Sequence, residues 1–457
     1  MHLVWENLIP NLVLLWTGKF KGLDEGQGGY ELGPTVWEAI GAATVKAGDT
    51  IPSAYGPRVP NLSTDSSAYV SAEMWSFWTL YIAPVVLRRR FRQQRYYDHF
   101  VRLVRLLHLC LQFDITEKEI DTIEEGFNDW VSDYERLYYQ GDPARLPICP
   151  VTIHALLHIA ESIRVMGPVW CYWAFPMERY CGKLQPAIRS RRFPYASLDR
   201  FAVEDAQLTQ IKMVHGVAEE LSLEPETNPQ SGFTHAAYQS CILLPPSRAR
   251  APPDNQLSVI ASALVTRAMQ NGLSNHRRLP ISKVKQLLKG ARISEWGKVK
   301  RVDSDEGDTM CSSTLGRRGQ DRRDATFVRY QIFVDIYAHH RNKAPKYKLT
   351  TFYGQIEHLY AITFDDSAAR RTLKLENDTV ILAAIRPCVL DEIAPPKDLD
   401  IHYYSKMGAL DIVDVKAVQV LIGRLPAGSD GMAIIDRSGS LARAIAVDDG
   451  NDGDDSD

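Results

Sequence analysis

The chain has 457 residues, 45% of them apolar, and 53 Lys+Arg against 56 Asp+Glu leave a formal charge of −3. That supplies enough apolar side chain for a sizeable core in roughly two to four domains, and it excludes nucleic-acid binding through bulk charge, leaving such a role to local clusters. Seven cysteines without regular spacing exclude a disulfide-stapled secreted scaffold and fit reduced thiols inside a cell.

The N-terminal MHLVWENLIPNLVLLW has no cationic segment ahead of its apolar run and carries Glu6, Asn7 and Pro10, so it does not read as a secretory signal. The longest apolar run, Met74 to Leu87, is 14 residues and contains Pro84, against about 20 needed to cross a membrane. It predicts a buried helix in a soluble protein with no membrane partner. In DHFVRLVRLLHLCLQF the spacing puts Phe100, Val104, Leu107 and Leu111 on one helical face. The next segment opens with Thr116 and Glu119 at capping-box spacing, and Ile120, Ile123, Phe127, Trp130 and Tyr134 form its apolar stripe. CPVTIHALLHIAESIRVMG is another helix, stopped by Gly167-Pro168. Its His154 and His158 lie one turn apart, with Glu161 on the same face. They can share a metal, or simply hydrogen-bond in a helix interface. The zinc-protease motif needs Glu after the first histidine, and Ala155 stands there.

WCYWAFPMERYCGKLQPAIRSRRFPY raises two questions. Pro176 suits the first helical position, which puts Glu178 in the first turn. A carboxylate there is favoured by the helix dipole and needs no function. The alternative is a ligand for a hard divalent cation beside a nucleic-acid backbone. Arg179, Lys183, Arg189, Arg191 and Arg192 follow within a short span among aromatics; they form either a solvated basic face or a phosphate-binding surface. A second cluster, Arg88, Arg89, Arg90, Arg92 and Arg95, reads as a phosphate patch, a nuclear-import signal or simply a polar helix end.

Residues 1–217 therefore read as a helical region, and the Pro- and Ser-rich 218–256 as a linker. Residues 257–325 read as a short helical segment followed by a disordered charged loop. From Thr326 the period switches to two, with Val328, Tyr330, Ile332, Val334 and Ile336 on one face. Further strand-like runs predict a β-rich, barrel-like module over 326–446, ahead of an acidic, disordered tail at 447–457. The expected class is α+β, the module being separable from the helices. GLDEGQGGYELG lacks the Lys-Ser/Thr of a phosphate loop, and no Gly-x-Ser-x-Gly turn occurs.

Four segments together, MHLVWENLIPNLVLLWTG, PVTIHALLHIAESI, GPVWCYWAFPMERYCGKLQPAIRSRRFPYASLDR and TFYGQIEHLYAITF, resemble the C-terminal half of fungal CACTA-type (En/Spm-like) DNA transposases. The resemblance covers most of residues 1–215 and, more loosely, 326–440. It implies an RNase H-like recombinase in which Asp, Asp and Glu hold two Mg²⁺ ions for attack on a phosphodiester. Glu178 matches the third carboxylate. His154 and His158 match a histidine pair that joins a Cys-x-x-Cys around a structural Zn²⁺. In the family the second Asp immediately precedes Met-His-Leu, and the first Asp and the Cys-x-x-Cys lie further upstream. This sequence starts at Met1-His2-Leu3 and contains no Cys-x-x-Cys.

The resulting expectation is a transposase-derived chain that begins inside the family's catalytic region, is nuclear, and is inactive alone. Its Glu178 is orphaned, Mg²⁺ is not functional, and Zn²⁺ is bound weakly. Weak, salt-sensitive DNA binding survives, with a further copy or a full-length transposase as protein partner. The alternative is a co-opted, non-enzymatic module that binds DNA or protein through its basic helical patches and its β module. A metallohydrolase built on His154, His158 and Glu178 is least supported, having no further metal ligands and no nucleophile.

Overall fold

The computed structural model describes residues 2–20, 23, 28–64, 70–218, 220–221, 232–270, 279–302, 308–316, 323–337, 346–392 and 399–438. The acidic stretch 447–457 lies outside them. The molecule is α+β, with helices in the N-terminal part and an antiparallel sheet in the C-terminal part.

A π-helical turn, His2–Leu8, leads into α1 (Ile9–Trp16), α2 (Pro34–Ala47), α3 (Ala72–Phe77), α4 (Ala83–Val86), α5 (Gln94–Cys110) and α6 (Glu117–Tyr134). Then follow α7 (Val151–Ala155), α8 (Ile159–Met166), α9 (Phe175–Leu184) and α10 (Pro194–His215). The capping box at α6 is formed: Thr116 accepts from the Glu119 N–H, and the Glu119 carboxylate accepts from the Thr116 N–H at 2.8 Å. The stripes on α5 and α6 are buried against each other. The run from Met74 to Leu87 is helical but not regular, passing through a π-turn at Trp78–Ile82 just before Pro84. Pro84 has no N–H to give the Leu80 carbonyl, and His108 Nε2 lies 3.4 Å from that oxygen instead. Gly167, at φ +84°, ends α8.

The sheet begins earlier than periodicity suggests. Its strands and helices are β1 (Cys241–Ala249), α11 (Asp254–Gln270), α12 (Ile281–Lys289), β2 (Arg292–Arg301), β3 (Thr309–Cys311), β4 (Phe327–Asp335) and β5 (Tyr347–Thr363). They continue as α13 (Ser367–Thr372), β6 (Thr379–Leu390), β7 (His402–Met407), β8 (Asp411–Asp414), β9 (Val418–Leu421), β10 (Gly423–Pro426) and β11 (Met432–Ile435). Strand order is β1-β2-β5-β6-β7-β11-β10, with β3 on β2, β4 on β5, β9 on β4 and β8 on β6. Among the described residues the path has two ends and does not close.

Two stretches thus hold strands that the sequence did not suggest. The 218–256 stretch, read as a linker, contains β1. The 257–325 stretch, read as a short helical segment and a charged loop, contains most of α11 and all of α12 but also β2 and β3, and residues 303–307 and 317–322 of that loop lie outside the described residues. Pro245 and Pro246 hid β1, because proline is excluded from paired strand interiors. Here β1 is an edge strand, and its register with β2 shifts between Leu244 and Ser247, where the missing N–H groups are absorbed.

One face of the sheet encloses a core of Leu243, Val299, Val328, Ile356, Ile381 and Val418. Helices α11 and α12 cover the other face, packing Ile260, Leu264 and Val284 against Ile362, Leu382 and Ile412. The expected separability of 326–446 is not what the packing provides. Leu399, Ile401, Tyr403, Leu425, Ala433 and Ile435 belong to the same apolar cluster as the N-terminal helices. A polar seam joins the same parts: the Tyr55 hydroxyl lies 3.1 Å from Leu421 O and 2.9 Å from Ile435 O. The Arg424 N–H donates to Thr50 O, the Asp324 N–H donates to Asp49 O, and Arg88 lies 4.7 Å above the Tyr403 ring.

Candidate functional site

Glu178 sits in the first turn of α9, with Pro176 at the helix start. Its Oε1 lies 2.9 Å from His2 Nε2, and the two side chains are 46% and 63% exposed. The other ring nitrogen of His2 pairs with Glu6, one turn along the first helical segment. The hydrogen bond to Glu6, the charge of Glu6 and then the charge of Glu178 raise the His2 pKa above its ordinary value. His2 is thereby favoured as imidazolium, clamped between two carboxylates. Spacing alone placed Glu178 in its turn and gave no sign of this partner; the only local signal was the i,i+4 pair His2 and Glu6.

His154 in α7 and His158 at the start of α8 are both exposed, with their Nε2 atoms 3.2 Å apart. Two nitrogens on one tetrahedral zinc are about 3.3 Å apart, so the spacing suits a shared metal as well as an imidazole–imidazole hydrogen bond. The structure does not bring this pair into one cluster with Glu178. Among the described residues no group of three or more His, Cys, Asp or Glu converges at metal-binding distance. A two-metal site needs several oxygens around ions about 4 Å apart, and Glu178 and Glu6 each face the His2 ring. The side chains present do not fit two Mg²⁺ ions, and no metal-dependent step is assigned to them.

The basic residues follow on an exposed surface. Helices α9 and α10 contain no buried residue. Arg189, Arg191 and Arg192 are exposed in the turn between them, and Arg192 lies 5.4 Å from the Phe193 ring centroid. Lys183 instead faces Asp205 at 3.6 Å, and Arg179 is exposed on α9. Of the second cluster, Arg88, Arg89 and Arg90 line a separate cavity of about 290 Å³ against Pro426–Ser429. The two clusters therefore serve different places in the fold.

Sequence reading missed a buried polar network in the sheet. Glu295 on β2 is 2% exposed. Its Oε2 accepts from Arg248 Nε and its Oε1 from His358 Nδ1, both at 2.7 Å. The other His358 nitrogen faces the Gln256 amide at 2.9 Å, and the Tyr360 hydroxyl donates to Gln256 Oε1. Burial works against ionisation of Glu295, but the hydrogen bonds from Arg248 and His358 outweigh it and hold the carboxyl below its ordinary pKa. Both imidazole nitrogens are occupied and Thr314 Oγ1 lies on the same Nδ1 side as Glu295, so the set lacks a nucleophile on the far nitrogen and is structural.

Among the described residues no helix is long and apolar enough to cross a membrane. In comparison with known proteins, no family model, no curated protein and no solved structure matches this chain.

Proposed function

We propose that the chain is a transposase-derived DNA-binding segment of the CACTA type. Glu178 is the third carboxylate of an RNase H-like, DDE-type site, Arg189, Arg191 and Arg192 hold DNA phosphates, and residues 1–457 by themselves neither cut nor join DNA. On this reading the helices are the outer part of the RNase H-like core, the sheet is an appended barrel-like module, and the protein works in the nucleus.

The observation that carries the reading is the contact between His2 and Glu178 at 2.9 Å. The resemblance ties a carboxylate just before Met-His-Leu to Glu178 in a single metal site. The two segments, far apart in sequence, are neighbours in space, so a carboxylate at that position would fall beside Glu178. The exposed arginines in the adjoining turn suit phosphate oxygens, and Phe193 and Tyr195, both exposed, suit base stacking.

The test is binding of a labelled DNA duplex across a salt series, with plasmid nicking in Mg²⁺ or Mn²⁺. Binding should weaken with salt, and the triple variant Arg189→Ala/Arg191→Ala/Arg192→Ala should reduce the log–log salt slope by about 2 to 3. An unchanged slope overturns the interface. Metal-dependent nicking that disappears in Glu178→Gln overturns the inactivity.

A further inference from the structure

A cavity of about 590 Å³ lies between α11 and the sheet, and Glu178 is not part of its lining. Gln331, Ile332 and Phe333 of β4 all line it. Successive strand residues point to opposite faces, so three in a row reach one cavity only from the strand's edge. The same holds for Asp411 to Asp414 of β8. Both edges are free at these positions among the described residues: β9 pairs with β4 only over Val328–Tyr330, and β8 pairs only with β6. The groove therefore offers unpaired backbone N–H and C=O groups beside an apolar wall from Val259 and Ala263 of α11.

Its charge is specific. The lining carries Asp411 and Asp414 against Arg267. Arg267 pairs with Asp414, to which the Tyr238 hydroxyl also donates at 3.0 Å. Asp411 is left over. Its Oδ1 accepts only the neighbouring Ile412 N–H, at 2.9 Å, and no cation faces either oxygen among the described residues. Burial raises the pKa of this carboxyl above its ordinary value, partly offset by that N–H. A desolvated carboxylate without a counter-ion is costly, and an incoming ammonium or guanidinium would relieve it.

We propose that this groove binds an extended peptide segment of a partner protein, which adds as a strand to the free edge of β4 and places a lysine or arginine side chain against Asp411. Main-chain pairing supplies affinity, the cation supplies selectivity, and Phe333, 66% exposed at the rim, covers the peptide's apolar side chains. The net negative lining disfavours a nucleic-acid strand, whose phosphates would meet Asp411. The volume lies within the range of roughly 300–1,000 Å³ usual for ligand pockets.

The test uses the full chain and a fluorescein-labelled peptide, Ser-Thr-Val-Thr-Lys-Val-Thr-Ser, with its Lys-to-Gln counterpart. The lysine peptide should bind saturably and the glutamine peptide about tenfold more weakly. Asp411→Asn, which keeps the oxygen that accepts from Ile412, should bind the two peptides alike with an unfolding midpoint no lower than that of the wild type. Phe333→Ser, at a surface position, should weaken both. Amide exchange should show new protection at Gln331–Asp335. Absence of saturable binding, equal binding of the two peptides by the wild type, selectivity retained in Asp411→Asn, or protection elsewhere overturns the proposal. So does protection of β4 by oligothymidylate, which would assign the groove to nucleic acid. DNA binding through the α9–α10 turn is read by a different variant and stands or falls separately.

Discussion

His99 shows how one buried side chain sets a pH limit. It is 2% exposed, stacked on Trp130 with ring centroids 4.4 Å apart, and its Nε2–H donates to Trp130 O at 3.1 Å. Burial pushes its pKa down from 6.5 to about 4, against the smaller upward pull of that hydrogen bond. Below pH 6.5 the unfolded chain binds a proton that the folded chain refuses, so stability falls on acidification until the folded imidazole also protonates near pH 4. The loss from this residue alone should be about 3 kcal/mol between neutral pH and that point. His99→Gln retains a donor for Trp130 O without titrating. Urea unfolding of the variant from neutral to acid pH should give a visibly flatter stability profile than the wild type; parallel profiles would show that His99 is not the titrating group. Glu295 acts with the opposite chemistry and the same direction. Its depressed pKa contributes stability that is present above the ordinary carboxyl value of 4.5 and is lost as pH falls through the folded value.

At the level of elements, the α5–α6 pair depends on a glycine that helix propensity alone disfavours. A Cβ on Gly126 would stand 2.4 Å from Leu106 Cδ2, and Leu106 is 3% exposed with little room to move. Alanine gains about 1 kcal/mol in intrinsic propensity but overpacks the contact, and Gly126→Ala should lose about 1–2 kcal/mol net in a urea titration. A gain would mean that Leu106 swings aside without cost. The same pair shows what was legible locally: the capping box and the two apolar stripes, like the stop of α8 at Gly167, follow from periodicity and cap chemistry. Helix α10 is the counter-example. It falls in the stretch read only broadly as helical, and its 22 residues bury nothing, because an apolar side chain in a sequence does not say whether a partner surface faces it.

For the whole molecule, the shared apolar cluster makes the β region dependent on the helices. Cutting out residues 326–440 removes β1 and β2 from the sheet and uncovers Leu399, Ile401, Tyr403, Leu425, Ala433 and Ile435. Exposing core side chains costs about 1.5–3 kcal/mol for each large one, against net domain stabilities of about 5–15 kcal/mol. The isolated fragment should therefore lack cooperative unfolding and bind a hydrophobic dye, while the full chain unfolds in a transition that includes helices and sheet together. A monomeric fragment with a sharp unfolding transition and native near-UV dichroism would show that the β region is self-sufficient.

The division between sequence and structure follows the range of the interaction. Local rules determined the α+β order, the helical faces, the first-turn place of Glu178 and most strands from Phe327 onward, β7 excepted, since periodicity and caps act over a few neighbouring residues. They failed at β1, where prolines look like a linker until an edge position and a register shift accommodate them, and at β2, where Glu295, Lys298 and Lys300 mask a strand whose polar partners lie elsewhere. Only the tertiary structure decided that His2 meets Glu178, that Glu295 meets His358 and Arg248, that the sheet stays open beside α11, and that Asp411 meets no cation there among the described residues. Each is a contact between residues remote in the chain. The energy of such contacts depends on burial and on distance in space, and neither is written in the spacing of residue types along the chain.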